Sequence, residues 1–148
     1  MLQEVDSCHW EDVLSDMDGY EGILQEKKGG DAASLCALLF KPERLELIWT
    51  ESRSRSLLAA FRFTDSLGVD QVLFVINVHL EGSPYRPNDR VSQIRSSLQR
   101  LQQCQVSMAQ LDPKECLVVV AGDFNSGRAE SAWRLMLRCG RTLSADGC

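Results

Sequence analysis

Three short stretches of this 148-residue chain set acidic, amide or imidazole side chains at the ends of apolar runs. They are Leu2-Gln3-Glu4, Ile76-Asn77-Val78-His79-Leu80, and Val118-Val119-Val120-Ala121-Gly122-Asp123-Phe124-Asn125. Strand ends in α/β proteins are places where a rigid element can present a functional side chain. Brought together, these groups could hold a hard divalent cation and a phosphate. Magnesium takes oxygen ligands, typically one or two carboxylates completed by water and substrate oxygens. In Gly122-Asp123-Phe124-Asn125, extended backbone would point Asp123 and Asn125 the same way and turn Phe124 into packing. Gly122 would permit a close backbone approach. Singly, each stretch has a plain explanation: a partly exposed strand Glu, a hydrogen-bonded structural His, an ordinary turn and helix start. The chemical reading rests on the three occurring together in this order.

The elements that must position these residues follow from the hydrophobic pattern. Asp6 or Ser7 can cap a short helix through Met17, with Trp10, Val13, Leu14 and Met17 as its apolar stripe and Gly19 as its stop. Strands are predicted over Tyr20–Gln25, Ser34–Phe40 and Leu45–Trp49, with a polar loop at Lys27–Asp31 and a Ser/Arg-rich turn at Glu51–Ser56. Further strands are predicted at Leu57–Phe63 and Gln71–Leu80, joined by a hairpin loop at Asp65–Asp70. After a loop from Glu81 to Pro87, Asn88 can cap a helix carrying Val91, Ile94, Leu98 and Leu101. A strand at Leu117–Ala121 leads into Gly122-Asp123-Phe124-Asn125-Ser126, and Ala129–Cys139 reads as a helix closed by Gly140. Consecutive strands followed by strand, helix, strand, helix imply an α/β protein with hairpins as well as crossovers, not a doubly wound parallel sheet.

Composition bounds the rest. With 44% hydrophobic and 25% charged residues, the chain has the make-up of a globular domain with a core. The net charge of −5 means that phosphate or nucleic acid must be held by local cations or a bound metal, not by a general field. No apolar run approaches the ~20 residues of a membrane span, and the first residues do not read as a signal peptide. The six cysteines include no Cys-x-x-Cys and no zinc-type spacing with the two histidines. Cys36 and Cys116 sit inside apolar runs, which favours buried thiols and a reducing, intracellular compartment, cytoplasmic or nuclear.

Leu2-Gln3-Glu4-Val5, Asn77-Val78-His79-Leu80 and Gly122-Asp123-Phe124-Asn125-Ser126 resemble the motifs of the endonuclease/exonuclease/phosphatase superfamily. Within it the chain resembles the branch of carbon-catabolite-repressor-type deadenylases, nocturnin and Angel proteins, and Leu80-Glu81-Gly82-Ser83-Pro84-Tyr85-Arg86-Pro87, with Arg90 and Gln93 beyond it, is most similar to the Angel-like subgroup. The resemblance implies a four-layer α/β sandwich with mixed, largely antiparallel sheets flanked by helices. Residues 1–148 would form the central portion of that domain, without its first Asn-bearing strand and its C-terminal Ser-Asp-His segment. By the same resemblance Glu4 would bind Mg²⁺ or Mn²⁺, His79 would donate to the scissile phosphate, Asp123 would orient or deprotonate the attacking water, and Asn125 would bind a phosphoryl oxygen. Asn77, Pro84, Arg86 and Arg90 are candidates for substrate contact, a solvated loop and helix face being the plainer account of the last three. The implied activity is metal-dependent phosphodiester hydrolysis on RNA, 3′-exonuclease or deadenylase-like. The alternatives are a phosphatase acting on nucleotides, cyclic phosphates or lipid head groups, and a non-catalytic module with a decayed site. The chain alone is expected to be nearly inactive, and incompletely covered sheets should make it self-associate.

Overall fold

The computed structural model describes residues 1–27, 34–108 and 116–145, with side chains as far as residue 138. Two sheets form its centre. The first has the order β1-β3-β2, from Leu2–Val5 (β1), Glu21–Leu24 (β2) and Leu35–Phe40 (β3). The second has the order β4-β5-β6-β7, from Glu46–Arg53 (β4), Ser56–Thr64 (β5), Asp70–His79 (β6) and Cys116–Asp123 (β7). All pairings are antiparallel except β6 with β7. Hairpins thus build β4-β5-β6, and the crossover through α2 (Pro87–Ser107) adds β7, the mixture expected from the pattern.

Alternation along the strands fills two separate cores. Leu38, Phe40, Leu57, Ala59, Phe61 and Val75 pack between the sheets. Leu58, Phe74, Ile76 and Val78 face the other way and meet Ile94 and Leu101 of α2, with Leu135 and Met136 of α3 (Ser131–Ala145) against the same cluster. On the far side of the first sheet, α1 (Trp10–Ser15) packs so closely that a Cβ on Gly22 would lie 2.4 Å from Trp10 Cζ2. Helix, sheet, sheet and helices make the four layers.

Several element boundaries differ from the sequence reading. The first helix is a 3-10 turn over Ser7–His9 followed by α1, which ends before Met17; Asp6 caps the turn as expected, accepting from Cys8 N at 3.1 Å. β4 runs on to Arg53 because its polar side chains find partners: Arg100 donates to Glu51 and Arg53 to Ser96. α2 begins at Pro87 rather than behind an Asn88 cap, using a proline whose missing N–H costs nothing in the first turn. α3 continues through Gly140 to Ala145, since one glycine in a helix costs only ~1 kcal/mol. Most of the predicted Lys27–Asp31 loop lies outside the described residues. Cys36 is fully buried, with its thiol pushed up to about 11 by that burial, and Cys116 is only partly covered.

Two buried amides lock the sheets together. Asn77 Nδ2 donates to Leu2 O at 2.8 Å and Ala37 O at 2.9 Å, while its Oδ1 accepts from Gln3 Nε2 at 2.6 Å. Gln25 accepts from Cys36 N at 2.8 Å and donates to Arg53 O. Asn77→Ala should therefore cost about 3 kcal/mol, because it strands two carbonyls and an amide in the interior. Urea unfolding measures this, and a loss below about 0.5 kcal/mol would discard the lock. β7 ends the second sheet with Leu117 and Val119, 52% and 40% exposed, turned away from the helix-side core. An apolar open edge of this kind can pair with a second copy, the self-association expected of this chain. Val119→Lys should raise the monomer fraction in sedimentation velocity, and an unchanged distribution would clear this edge of the association.

Candidate active site

β6 and β7 run parallel in a register that sets Asn77 beside Ala121, Val78 beside Gly122 and His79 beside Asp123. His79 and Asp123 therefore stand at the same level on neighbouring strand ends, one strand spacing of about 4.8 Å apart. Two backbone features make this closeness possible. Leu80 N continues the ladder by donating to Asp123 O at 2.9 Å. Gly122 adopts φ +127°, and a Cβ there would lie 2.1 Å from Val78 O and 2.9 Å from Asn77 Oδ1, so a side chain is excluded.

Asn125 does not follow the strand alternation expected of it. β7 ends at Asp123, and Asn125 takes a left-handed φ of +45°. Its N–H donates to Asp123 Oδ1 at 2.8 Å and its Nδ2 to Leu80 O at 2.9 Å. The amide is thus held against the backbone that follows His79, by a turn and not by an extended strand. Phe124 does turn into packing, edge-on to Trp133 with ring centroids 5.3 Å apart.

Glu4 reaches this place from the other sheet. The pairings Leu2 with Ala37 and Val5 with Leu35 are out of step by one residue, a β-bulge in β1, and Glu4 within it has φ +57°. Bulges re-aim side chains, and a left-handed non-glycine residue stores about 1–3 kcal/mol of strain. The carboxylate is 76% exposed, with Oε1 3.8 Å from His79 Nε2. His79 itself is nearly buried; Ser34 Oγ lies 3.4 Å from its Nδ1, and its backbone N–H donates to Arg55 O at 3.0 Å. The ring is braced on one side and presents Nε2 to the mouth where Glu4 sits.

The donor set suits a hard cation. Glu4 and Asp123 supply exposed carboxylates. Among the described residues the one tight grouping of three ligating atoms, within 4.8 Å of one another, is Asp6, Cys8 and His9 on the turn after β1. The ligating atoms of Glu4, His79 and Asp123 do not all lie within that distance, so a cation held there would need water and substrate oxygens to complete its shell.

The remaining predicted residues divide. Pro84 and Arg86 are exposed on the loop before α2, Arg86 with only a 3.6 Å contact to Asp89, and can meet a ligand. Asn77 is fully buried and its amide reaches from β6 to β1 and β3 of the other sheet, so it ties the sheets together beneath the site instead of facing substrate. Arg90 is 1% exposed and its guanidinium is taken up by Glu130 and two carbonyls, which removes it from substrate contact. Sequence reading missed Ser34, Arg55 and Glu130. Arg55 carried a signal in the Ser/Arg-rich turn; it pairs with Glu81 at 3.0 Å. Glu81 sits below the usual carboxylate range, first through the N–H of Ser83 and then through Arg55.

The fold is that of endonuclease/exonuclease/phosphatase proteins. Solved structures with the same fold include the human nocturnin catalytic domain, with 23% identity, a TM-score of 0.63, and 90% of this chain matched to 53% of that one. ANGEL2, described as a 2′,3′-cyclic phosphatase and solved with adenosine-2′,3′-vanadate, has 18% identity and a TM-score of 0.66, over 91% of this chain and 42% of that one. An endonuclease/exonuclease/phosphatase family protein from Bacteroides thetaiotaomicron has 13% identity and a TM-score of 0.64, over 93% and 52%. The chain thus spans about half the length of the solved structures it matches. No family model and no curated protein matches the sequence.

Gly122→Ala should displace Asp123 from His79 and destabilise the fold by at least about 1–3 kcal/mol, through both strain and overlap with Val78 O. Thermal unfolding tests the stability loss; a variant as stable as the parent would show that the strand ends tolerate separation.

Proposed function

We propose that this chain carries the centre of a metal-dependent phosphoric ester hydrolase site, acting on phosphodiesters of the RNA 3′-end class. The observation that supports this best is the meeting of His79 and Asp123 in parallel register with Glu4 brought over them by the β1 bulge. Phosphoryl transfer asks a protein mainly to position groups and neutralise charge, and these residues match that demand.

Glu4 would hold the cation, Mg²⁺ or Mn²⁺, which when bound lends positive charge to the phosphoryl oxygens. His79 Nε2, facing the mouth, donates a hydrogen bond to a phosphoryl oxygen as charge builds there. Ser34 braces the ring at Nδ1, and the Arg55 carbonyl holds the backbone N–H of His79. Asp123 accepts from the attacking water and aligns it. Asn125, with its backbone N–H donating to Asp123 and Nδ2 to Leu80 O, braces that turn; as a phosphoryl ligand its side-chain amide would have to exchange that second bond. Pro84 and Arg86 offer contacts to the rest of the substrate. Among the described residues no helix is long and apolar enough to cross a membrane, which is compatible with a dissolved substrate.

A second reading is a phosphatase acting on cyclic phosphates. It draws on the similarity to ANGEL2, whose bound vanadate ester is that of a nucleoside 2′,3′-diol. The same groups would serve it, so the substrate panel must decide.

The test is hydrolysis of labelled oligo(A), adenosine 2′,3′-cyclic phosphate and bis-p-nitrophenyl phosphate with Mg²⁺, by this chain and by the complete product of its gene. The complete protein should be active and this chain nearly inactive, and His79→Ala should lower kcat by about 100-fold. Shortened oligo(A) supports the exonuclease; cleavage confined to the cyclic phosphate supports the phosphatase. Failure of every ester in the complete protein would leave a non-catalytic interaction module.

A further inference from the structure

Arg90 is 1% exposed, so its charge must be met inside the fold. Its Nη1 donates to Glu81 O at 3.1 Å and to Ser83 O at 2.6 Å. Its Nε and Nη2 donate to Glu130 Oε2 at 3.2 and 2.7 Å. That same carboxylate oxygen lies 3.3 Å from Ser126 Oγ, and Glu130 N donates to Gly127 O at 2.9 Å. One turn along α2, Gln93 Oε1 accepts from Glu81 N at 2.9 Å. The two carbonyls belong to the segment that follows His79. The carboxylate belongs to the segment that follows Asp123 and Asn125. Between the same two segments runs the hydrogen bond from Asn125 Nδ2 to Leu80 O.

We propose that Arg90 and Glu130 are positioning residues, a latch whose buried guanidinium on α2 sets the distance between the His79 strand end and the Asp123–Asn125 turn. The proposal rests on the hydrolase reading for its catalytic consequence, though not for its geometry. A planar guanidinium with donors in a fixed fork can hold two carbonyls and a carboxylate at once; an ammonium on a flexible stem cannot reproduce that spacing. Burying one charge of such a pair gains little stability over apolar packing of the same volume. Its distinguishing effect is geometric, because every acceptor it holds lies within a few residues of a site group. The Glu130 carboxyl is held below its usual range, chiefly by the hydrogen bond from Arg90, which keeps it charged in its part of the latch.

The experiment uses Arg90→Lys and Glu130→Gln in the full chain and in the complete gene product, with Arg62→Ala, which breaks an exposed pair with Glu46, as control. Two readouts are taken: the Asn125 side-chain amide resonances in a ¹⁵N spectrum, and kcat and KM on bis-p-nitrophenyl phosphate. Both variants should shift and broaden the Asn125 amide and lower kcat by about 10- to 100-fold with KM within about twofold, while the control leaves both unchanged. A fall in melting temperature with kcat and the Asn125 amide unmoved would reduce the pair to ordinary structure and overturn the proposal. If the parent hydrolyses no ester, the hydrolase reading fails by itself. The amide spectrum then decides the latch, an unmoved Asn125 refuting it and a shifted one sustaining it.

Discussion

The site depends on a side chain that never reaches it. Asn77 sits in the middle of the molecule and spends its amide on the carbonyls of β1 and β3 and on the Gln3 side chain. Those bonds fix the first sheet against the second at the level of the strand ends. Glu4 comes from one sheet and His79 from the other, so their 3.8 Å approach exists only while the sheets keep this offset. Apolar packing between the sheets, through residues such as Leu38, Leu57 and Val75, holds them together without choosing a register. A hydrogen-bonded amide in a low-dielectric interior does choose one, because each mispairing leaves polar atoms bare. Among the described residues no buried side-chain polar atom lacks a partner.

Around that fixed offset the local backbone departs from regular geometry where the chemistry is placed. Glu4 and Asn125 are left-handed, and Gly122 occupies a conformation closed to side chains. Each departure is compensated by a specific contact: the bulge pairing in β1, the Asp123 carboxylate under Asn125 N, and the tight approach to Val78. The charges nearby are also arranged in pairs, Arg55 with Glu81 and Arg90 with Glu130, so the strand ends are ringed by held carboxylates and guanidiniums. In a chain of net charge −5, a phosphate would have to be held by such local groups or by a bound metal.

Much of this was legible in the sequence because it was written in runs. Apolar stretches ending in Glu4, His79 and Asp123 were visible as strands, and their polar ends as a candidate site. The hairpin-then-crossover order followed from the same runs. What could not be read was anything depending on a partner far along the chain. An arginine near the start of an amphipathic helix looks solvated, and Arg90 is buried only because Glu130 lies 40 positions away to neutralise it. Asn77 looked like part of the chemistry since it stands two residues before His79; its carbonyl partners at Leu2 and Ala37 are invisible without the fold. The end of β4 and the passage of α3 through Gly140 are the same lesson at smaller scale, with tertiary contacts overriding local signals.

The position of β1 has a kinetic meaning. This strand has four residues, borders β3 alone, and is tied to β6 by a contact between residues 75 positions apart. The second sheet, by contrast, grows largely from neighbouring hairpins. Closing the longest loop is the step whose entropy is repaid last, so β1 docks late in folding and leaves early in local opening. The Glu4 carboxylate is carried by an edge strand of the described sheet, so its approach to His79 is lost whenever β1 parts from β3 and β6. A ligand that engages Glu4 and His79 together would oppose that parting and slow hydrogen exchange in β1 well beyond the atoms it touches.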